Sequence, residues 1–241
     1  VIPCTRAEGD RYRRLGVPAE QLTLIAPAAP CDHTSPNPEQ IHRELGLTSG
    51  ARLIVASGRC EKGYGARDAI IAFDMLRYDH KDLHLAVVGA GPETPSLERL
   101  ARSLAFDDLR VHFIDGTSAP AAAARIAVAV FVTRPRTGVE DALEAMAAGK
   151  PAIGWATPDL AEIVADKATG LLVPLGDRSA LAASMRAVLE NPSHARRLGD
   201  AGRARAAEHF GFDRMVEQFV RLYREVAPPR PTAHRPERWI P

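Results

Sequence analysis

From residue 51 onward the chain alternates short apolar runs with stretches of helical spacing, and few folds accommodate that order. RLIVASG (52–58), LHLAVVGAGP (83–92), LRVHFIDG (109–116), VAVFVT (128–133), PAIGWAT (151–157) and GLLVPLGD (170–177) read as strands. Several are apolar throughout, as strands covered on both faces must be. Helical spacing fills the intervals 66–78, 96–105, 120–127, 139–148 and 159–166, and three helices follow at 178–191, 192–210 and 212–226. Ala69, Ile70, Phe73 and Leu76 mark the buried stripe of the first helix, and Leu97, Leu100 and Leu104 that of the second. Strands joined through helices pair in parallel, and their crossovers are right-handed. The predicted fold class is therefore α/β, a Rossmann-like doubly wound parallel sheet. Ligands of such sheets bind beyond the carboxyl ends of the strands. Here those ends carry Gly58-Arg59, Gly89-Ala90-Gly91-Pro92, Gly116, Arg134 and Thr157, so glycines and basic groups gather on one rim.

Residues 1–50 break the pattern. An apolar start, a basic helical stretch, a short apolar stretch and a Pro-rich turn read as the last βα unit of a preceding domain plus a linker. Val1-Ile2-Pro3 reads as the middle of a longer polypeptide. Residues 51–226 form the main domain, and 227–241 a Pro/Arg-rich extended tail. The net charge of +1 argues against a nucleic-acid binder. Only four of the 31 basic residues are Lys, so arginine is the default cation and its identity alone marks no site. Cys4, Cys31 and Cys60 are scattered and odd in number, which fits the reduced thiols of a cytoplasmic protein. No apolar run is long enough to cross a bilayer. The eight histidines form no metal-binding pattern, and His112, alternating with apolar neighbours, reads as a packing residue.

Three motifs fall on the rim. In SGRCEKG (57–63), Gly58 permits a sharp turn, and Arg59 and Lys62 place two cations where a diphosphate could be held. A solvated loop explains the same residues equally well. In VVGAGP (87–92), Gly89 and Gly91 allow close backbone approach, but Thr94 stands where a dinucleotide fingerprint has its third glycine. In RPRTGVEDALEAMAAGKP (134–151), Gly138 opens a helix whose first N–H groups, at Val139, Glu140 and Asp141, suit an anion. Val139, Leu143 and Met146 share the core face, and Glu140 and Glu144 another. Acids in a first turn are favoured by the helix dipole alone, by about 0.3–1 kcal/mol, which accounts for Glu140 and Asp141. Glu144 lies beyond that turn. Lys150 suits the negative end of the helix.

Taken in order, GRCEKG (58–63), GAGP (89–92), VHFIDG (111–116), EAMAAGKP (144–151) and EIVADKATGLLVPLGD (162–177) resemble the C-terminal, donor-binding domain of GT-B glycosyltransferases of the GT4 family, over roughly 51–226. The resemblance implies a retaining transfer of sugar from a nucleoside-diphosphate sugar, UDP- or GDP-linked, to an acceptor that is a glycan, a lipid or a small molecule. It implies no metal and no protein nucleophile, and it allows peripheral contact with the inner face of a membrane. Arg59 and Lys62 become the catalytic cations that bind the diphosphate and stabilise charge on the leaving group. Gly58, Gly89 and Gly91 become donor-binding positions, Gly116 lies beside the base, and Thr137, Gly138 and Val139 offer backbone N–H groups to phosphate. Glu144 corresponds to the glutamate that hydrogen-bonds the ribose.

The departures are equally specific. The family's E-x7-E motif expects an acid at position 136, where this chain has Arg136, and Glu140 is the acid nearest to hand for donor binding. The family's Asn-Gly turn ahead of the domain is replaced by PAAP (27–30), and the interval between Arg59 and Lys62 is shorter than usual. Arg136 also leaves open a non-catalytic or regulatory nucleotide-binding module of the same fold. A nucleotide-sugar epimerase fits the motif series less well.

Overall fold

The computed structural model describes residues 1–29, 42–43, 45–48, 50–105, 110–114, 127–132 and 138–227. Six parallel strands, β1 (Arg52–Ser57), β2 (Leu83–Val88), β3 (Val111–Ile114), β4 (Ala129–Val132), β5 (Ala152–Trp155) and β6 (Gly170–Val173), form one sheet in the order β3-β2-β1-β4-β5-β6. The chain builds outward from β1 in one direction and then returns to its other side, so the strand order reverses between β1 and β4. At that reversal the helices that follow the two strands pack on opposite faces, the arrangement that leaves a crevice at the strands' carboxyl ends. The strands are one to four residues shorter than their apolar runs.

The helices are α1 (Arg6–Arg14), α2 (Ala66–Asp74), α3 (Thr94–Ala105), α4 (Val139–Ala147), α5 (Pro158–Ile163), α6 (Arg178–Glu190), α7 (Pro192–His209) and α8 (Phe212–Val226). The helix expected at 120–127 lies almost wholly outside the described residues. Alternate residues of each central strand feed two separate cores. Ile54, Ala56, Leu85, Val87 and Phe131 pack with α2, α3 and α6. Leu53, Val55, Ala86, Val88 and Val130 pack with α4 and α5. Helix α7 reaches both cores, Ala195 and Leu198 in one and Ala206 and Phe210 in the other.

At the amino end, Val1–Pro3 and the stretch around Leu24 lie side by side in parallel. The Val1 amino group donates to the Gln21 carbonyl at 2.7 Å, and the Thr23 and Ile25 N–H groups donate to the carbonyls of Val1 and Pro3 at 3.1 and 3.2 Å. Helix α1 crosses between them and docks on α5. Glu162 accepts from the backbone N–H groups of Arg6 and Ala7, both at 2.9 Å, so a carboxylate on one helix satisfies the first turn of another. Arg11 forks onto the buried Asp159 at 2.6 and 3.0 Å, and the Thr5 hydroxyl donates to the same carboxylate at 2.5 Å. Burial pushes the Asp159 carboxyl up, but these hydrogen bonds outweigh it and hold the group below the usual range.

Arginines perform the converse service at the carboxyl ends of helices, where carbonyls run out of partners. Arg203 donates to the Ala148 carbonyl at 2.9 Å, Arg52 to that of Leu189 at 3.2 Å, and Arg205 to those of Ile163 and Glu162 at 2.7 and 2.9 Å. Arg203 thus joins Lys150, whose own N–H donates to the Ala145 carbonyl at 2.9 Å, at the negative end of α4. It does so from α7, which lies very close to the end of α4: a Cβ at Gly199 would strike the carbonyl of Gly149. Gly199→Ala should therefore destabilise the fold by about 1–3 kcal/mol, the usual cost of overpacking. A thermal melt with an unchanged midpoint would show that α7 can back away at no cost.

Candidate functional site

Two loops on the rim are knitted together by their backbones. Gly58 N–H donates to the Val88 carbonyl at 3.1 Å, Cys60 N–H to that of Ala90 at 3.2 Å, and Glu93 N–H to that of Cys60 at 2.9 Å. The buried Cys60 thiol lies 3.2 Å from the Gly89 carbonyl. A Cβ at Gly89 would strike the Gly58 carbonyl, and one at Gly91 the backbone of Cys60. The glycines of GAGP are therefore explained by the packing of one loop on the other. Their approach to a ligand, which the sequence suggested, is not needed to account for them.

This knitting fixes the loop that carries the two cations. Arg59 is exposed and its Nε lies 2.6 Å from Oε1 of Glu61, an ion pair that sequence reading missed although Glu61 stands between the two cations. Lys62 is exposed in the same loop.

The second wall of the crevice is α4. Gly138 precedes it at φ −78°, with no side-chain cap among the described residues, and Gly138 and Val139 are buried. The N–H groups of a first turn point back along the helix axis, toward the crevice side of the sheet. The Ser57 hydroxyl, at the end of β1, donates to Asp141 Oδ1 at 2.7 Å and ties this turn to the central strand. That bridge was not legible in sequence, since 84 residues separate its ends. Val139, Leu143 and Met146 are buried as their spacing required. Glu140 is exposed, and Glu144 is half-buried one turn along. Burial, and then the neighbouring Asp141 and Glu140, raise the Glu144 carboxyl from 4.5 to about 7. Gly58, Arg59, Lys62, Gly89 and Gly91 thus lie in the two interlocked loops after β1 and β2, and Gly138, Val139, Glu140 and Glu144 at the start of α4, which Ser57 ties to β1. Gly116, Arg136 and Thr137 lie outside the described residues.

The acids of the long motif at 162–177 serve the fold. Besides Glu162 on α1, Asp166 accepts from Leu172 N–H at 2.9 Å, and Asp177 caps α6 by accepting from Ala180 N–H at 2.9 Å. The amino-terminal segment also borders the site. Burial raises the Cys4 thiol, and Glu8 and then Glu140 raise it further, so the start of α1 lies near the start of α4. His112 is half-buried and stacks on His84 with ring nitrogens 3.0 Å apart, a pairing across β2 and β3 beyond the packing role expected. Among the described residues no group of three or more His, Cys, Asp or Glu side chains could hold a metal ion. No helix among them is long and apolar enough to cross a membrane.

The position of Glu144 has a measurable consequence. With a folded-state value above that of the unfolded chain, the native state holds the extra proton between pH 4.5 and about 7, and stability falls as pH rises through that window. Glu144→Gln should melt above the unsubstituted protein at pH 8, with the difference fading toward pH 4.5 in paired thermal melts. A difference independent of pH would place Glu144 in water rather than in the crevice wall.

Known proteins match this chain in sequence and in fold. The profile of the family described as Glycosyl transferases group 1 matches residues 37–205. N-acetyl-alpha-D-glucosaminyl L-malate synthase of Bacillus anthracis is 25% identical over 188 residues, covering 78% of this chain and 49% of that protein. GDP-mannose-dependent alpha-(1-6)-phosphatidylinositol monomannoside mannosyltransferase of Mycolicibacterium smegmatis is 30% identical over 220 residues, covering 86% and 57%. The chain spans about half the length of these curated relatives. Among solved structures, that of Anabaena HepE in complex with UDP-glucose superposes with a TM-score of 0.81 at 18% identity, over 94% of this chain and 64% of that one. Sequence match and fold agree, and the chain belongs to the group 1 glycosyltransferases.

Proposed function

We propose that this chain is the donor-binding half of a retaining glycosyltransferase that moves a sugar from a nucleoside-diphosphate sugar, UDP- or GDP-linked, to an acceptor. One observation carries the reading. The strand order reverses between β1, whose following loop carries Arg59 and Lys62, and β4, which is followed by α4, whose start has no side-chain cap among the described residues and carries Glu144 one turn beyond. Two cations and a helix N-terminus suit a diphosphate, because both place positive charge where its oxygens would lie. As the sugar leaves, negative charge grows on the nucleoside diphosphate, and fixed cations stabilise that state more than the ground state. Glu144, titrating near neutrality, can accept or donate a hydrogen bond to a ribose hydroxyl. Glu140, exposed in the first turn, complements the helix dipole. No side chain is assigned as a nucleophile, and no metal is assigned to the reaction.

The names of the relatives support the same class of ligand: one is called GDP-mannose-dependent, and one neighbour was crystallised with UDP-glucose. The acceptor is a glycan, a lipid or a small molecule met across the cleft, in the cytoplasm or at the inner face of a membrane. Calorimetry with UDP and GDP tests the site. One of the two should bind, and Arg59→Ala and Glu144→Ala should each weaken binding by about 1.5–3 kcal/mol, the range for hydrogen bonds to charged groups. Absence of binding by either nucleotide would remove the donor-site reading. Nucleotide binding without sugar transfer or donor hydrolysis by the full-length protein would favour a regulatory module instead.

A further inference from the structure

We propose that Glu61 is a resident counter-ion for Arg59, which the donor's diphosphate must displace on binding and which speeds the release of the nucleoside diphosphate afterwards. The inference rests on the donor site proposed above and assigns a role to a residue that takes no part in it.

The geometry is local and constrained. Arg59 and Glu61 flank Cys60, whose backbone is held at both ends, N–H to the Ala90 carbonyl and carbonyl to Glu93 N–H. The Glu61 N–H also donates to the Arg59 carbonyl at 3.0 Å, so the chain between the two side chains is a tight turn. Their side chains meet with Nε 2.6 Å from Oε1, Arg59 at 60% exposure and Glu61 at 31%. Glu61 is the partner of Arg59 among the described residues, whereas Lys62 in the same loop has none there.

A carboxylate offers a guanidinium the same charged oxygens that a phosphate offers. While the crevice is empty, Glu61 neutralises the cation that would attract the ligand. When a phosphate takes its place, the displaced carboxylate remains tethered beside a more negative group and repels it. Both effects lower affinity for the diphosphate, and both favour its departure once the sugar has gone. Both are also screened by salt, because the pair lies at the surface.

A double-mutant cycle by calorimetry tests the assignment in the full-length protein. Glu61→Gln should tighten UDP or GDP binding by about three- to tenfold at low ionic strength, with the gain shrinking as salt is added. Glu61→Ala should act in the same direction, uridine or guanosine should gain nothing, and the gain should shrink in an Arg59→Ala background, where only the direct repulsion by Glu61 is left to remove. Unchanged or weaker binding by Glu61→Gln overturns the proposal, as does a gain that Arg59→Ala leaves undiminished. If neither nucleotide binds the unsubstituted protein, the donor reading fails and inorganic pyrophosphate becomes the probe of the same pair. Glu61→Gln must then tighten pyrophosphate, and no binding of it to either protein overturns this proposal too.

Discussion

Strand β1 is the element on which the rest of the molecule hangs. It pairs with β2 on one side and β4 on the other, it is buried from Leu53 to Ser57, and its two faces feed the two cores. A strand in that position must be apolar on both faces, which LIVA satisfies with no polar residue to conceal. Because the chain returns to its other side after β3, the helices that follow β1 and β4 pack on opposite faces of the sheet. The crevice there is a consequence of chain routing and exists before any side chain is chosen to line it.

What lines it depends on close backbone contact. The loop after β1 is held by the loop after β2, and the absence of side chains at Gly89 and Gly91 makes that contact possible. The first turn of α4 is held to β1 by Ser57 and Asp141. Two walls that arise from distant stretches of chain are thereby fixed to one strand. Such fixing is what an electrostatic site requires, since dipoles and charges that need not reorganise on binding stabilise developing charge most. Glu144 shows the accompanying strain: its half-buried carboxyl, with Asp141 and Glu140 nearby, is held near neutrality.

The amino-terminal unit is bound to this domain more firmly than a linker would be. Glu162 satisfies the first turn of α1, and Asp159 is shared by Arg11 and Thr5. The start of α1 therefore sits beside the start of α4, close to Glu140. In sequence these residues lie some 150 positions apart, and none has a spacing that announces the contact.

The sequence alone determined the alternation of strands and helices, the parallel sheet and the rim of the proposed site, because apolar periodicity is set by which faces each element buries. It also determined the core face of α4, since Val139, Leu143 and Met146 must be buried if the helix packs at all. The family followed from motifs of fixed order, even though the acids of the longest one turn out to cap helices and close turns. Tertiary structure decided the rest. It showed that Gly89 and Gly91 serve loop packing, that Arg59 is already paired with Glu61, and that Arg203 joins Lys150 at the end of α4. Each of these depends on which distant atoms come within hydrogen-bonding or van der Waals reach, and no local periodicity encodes that.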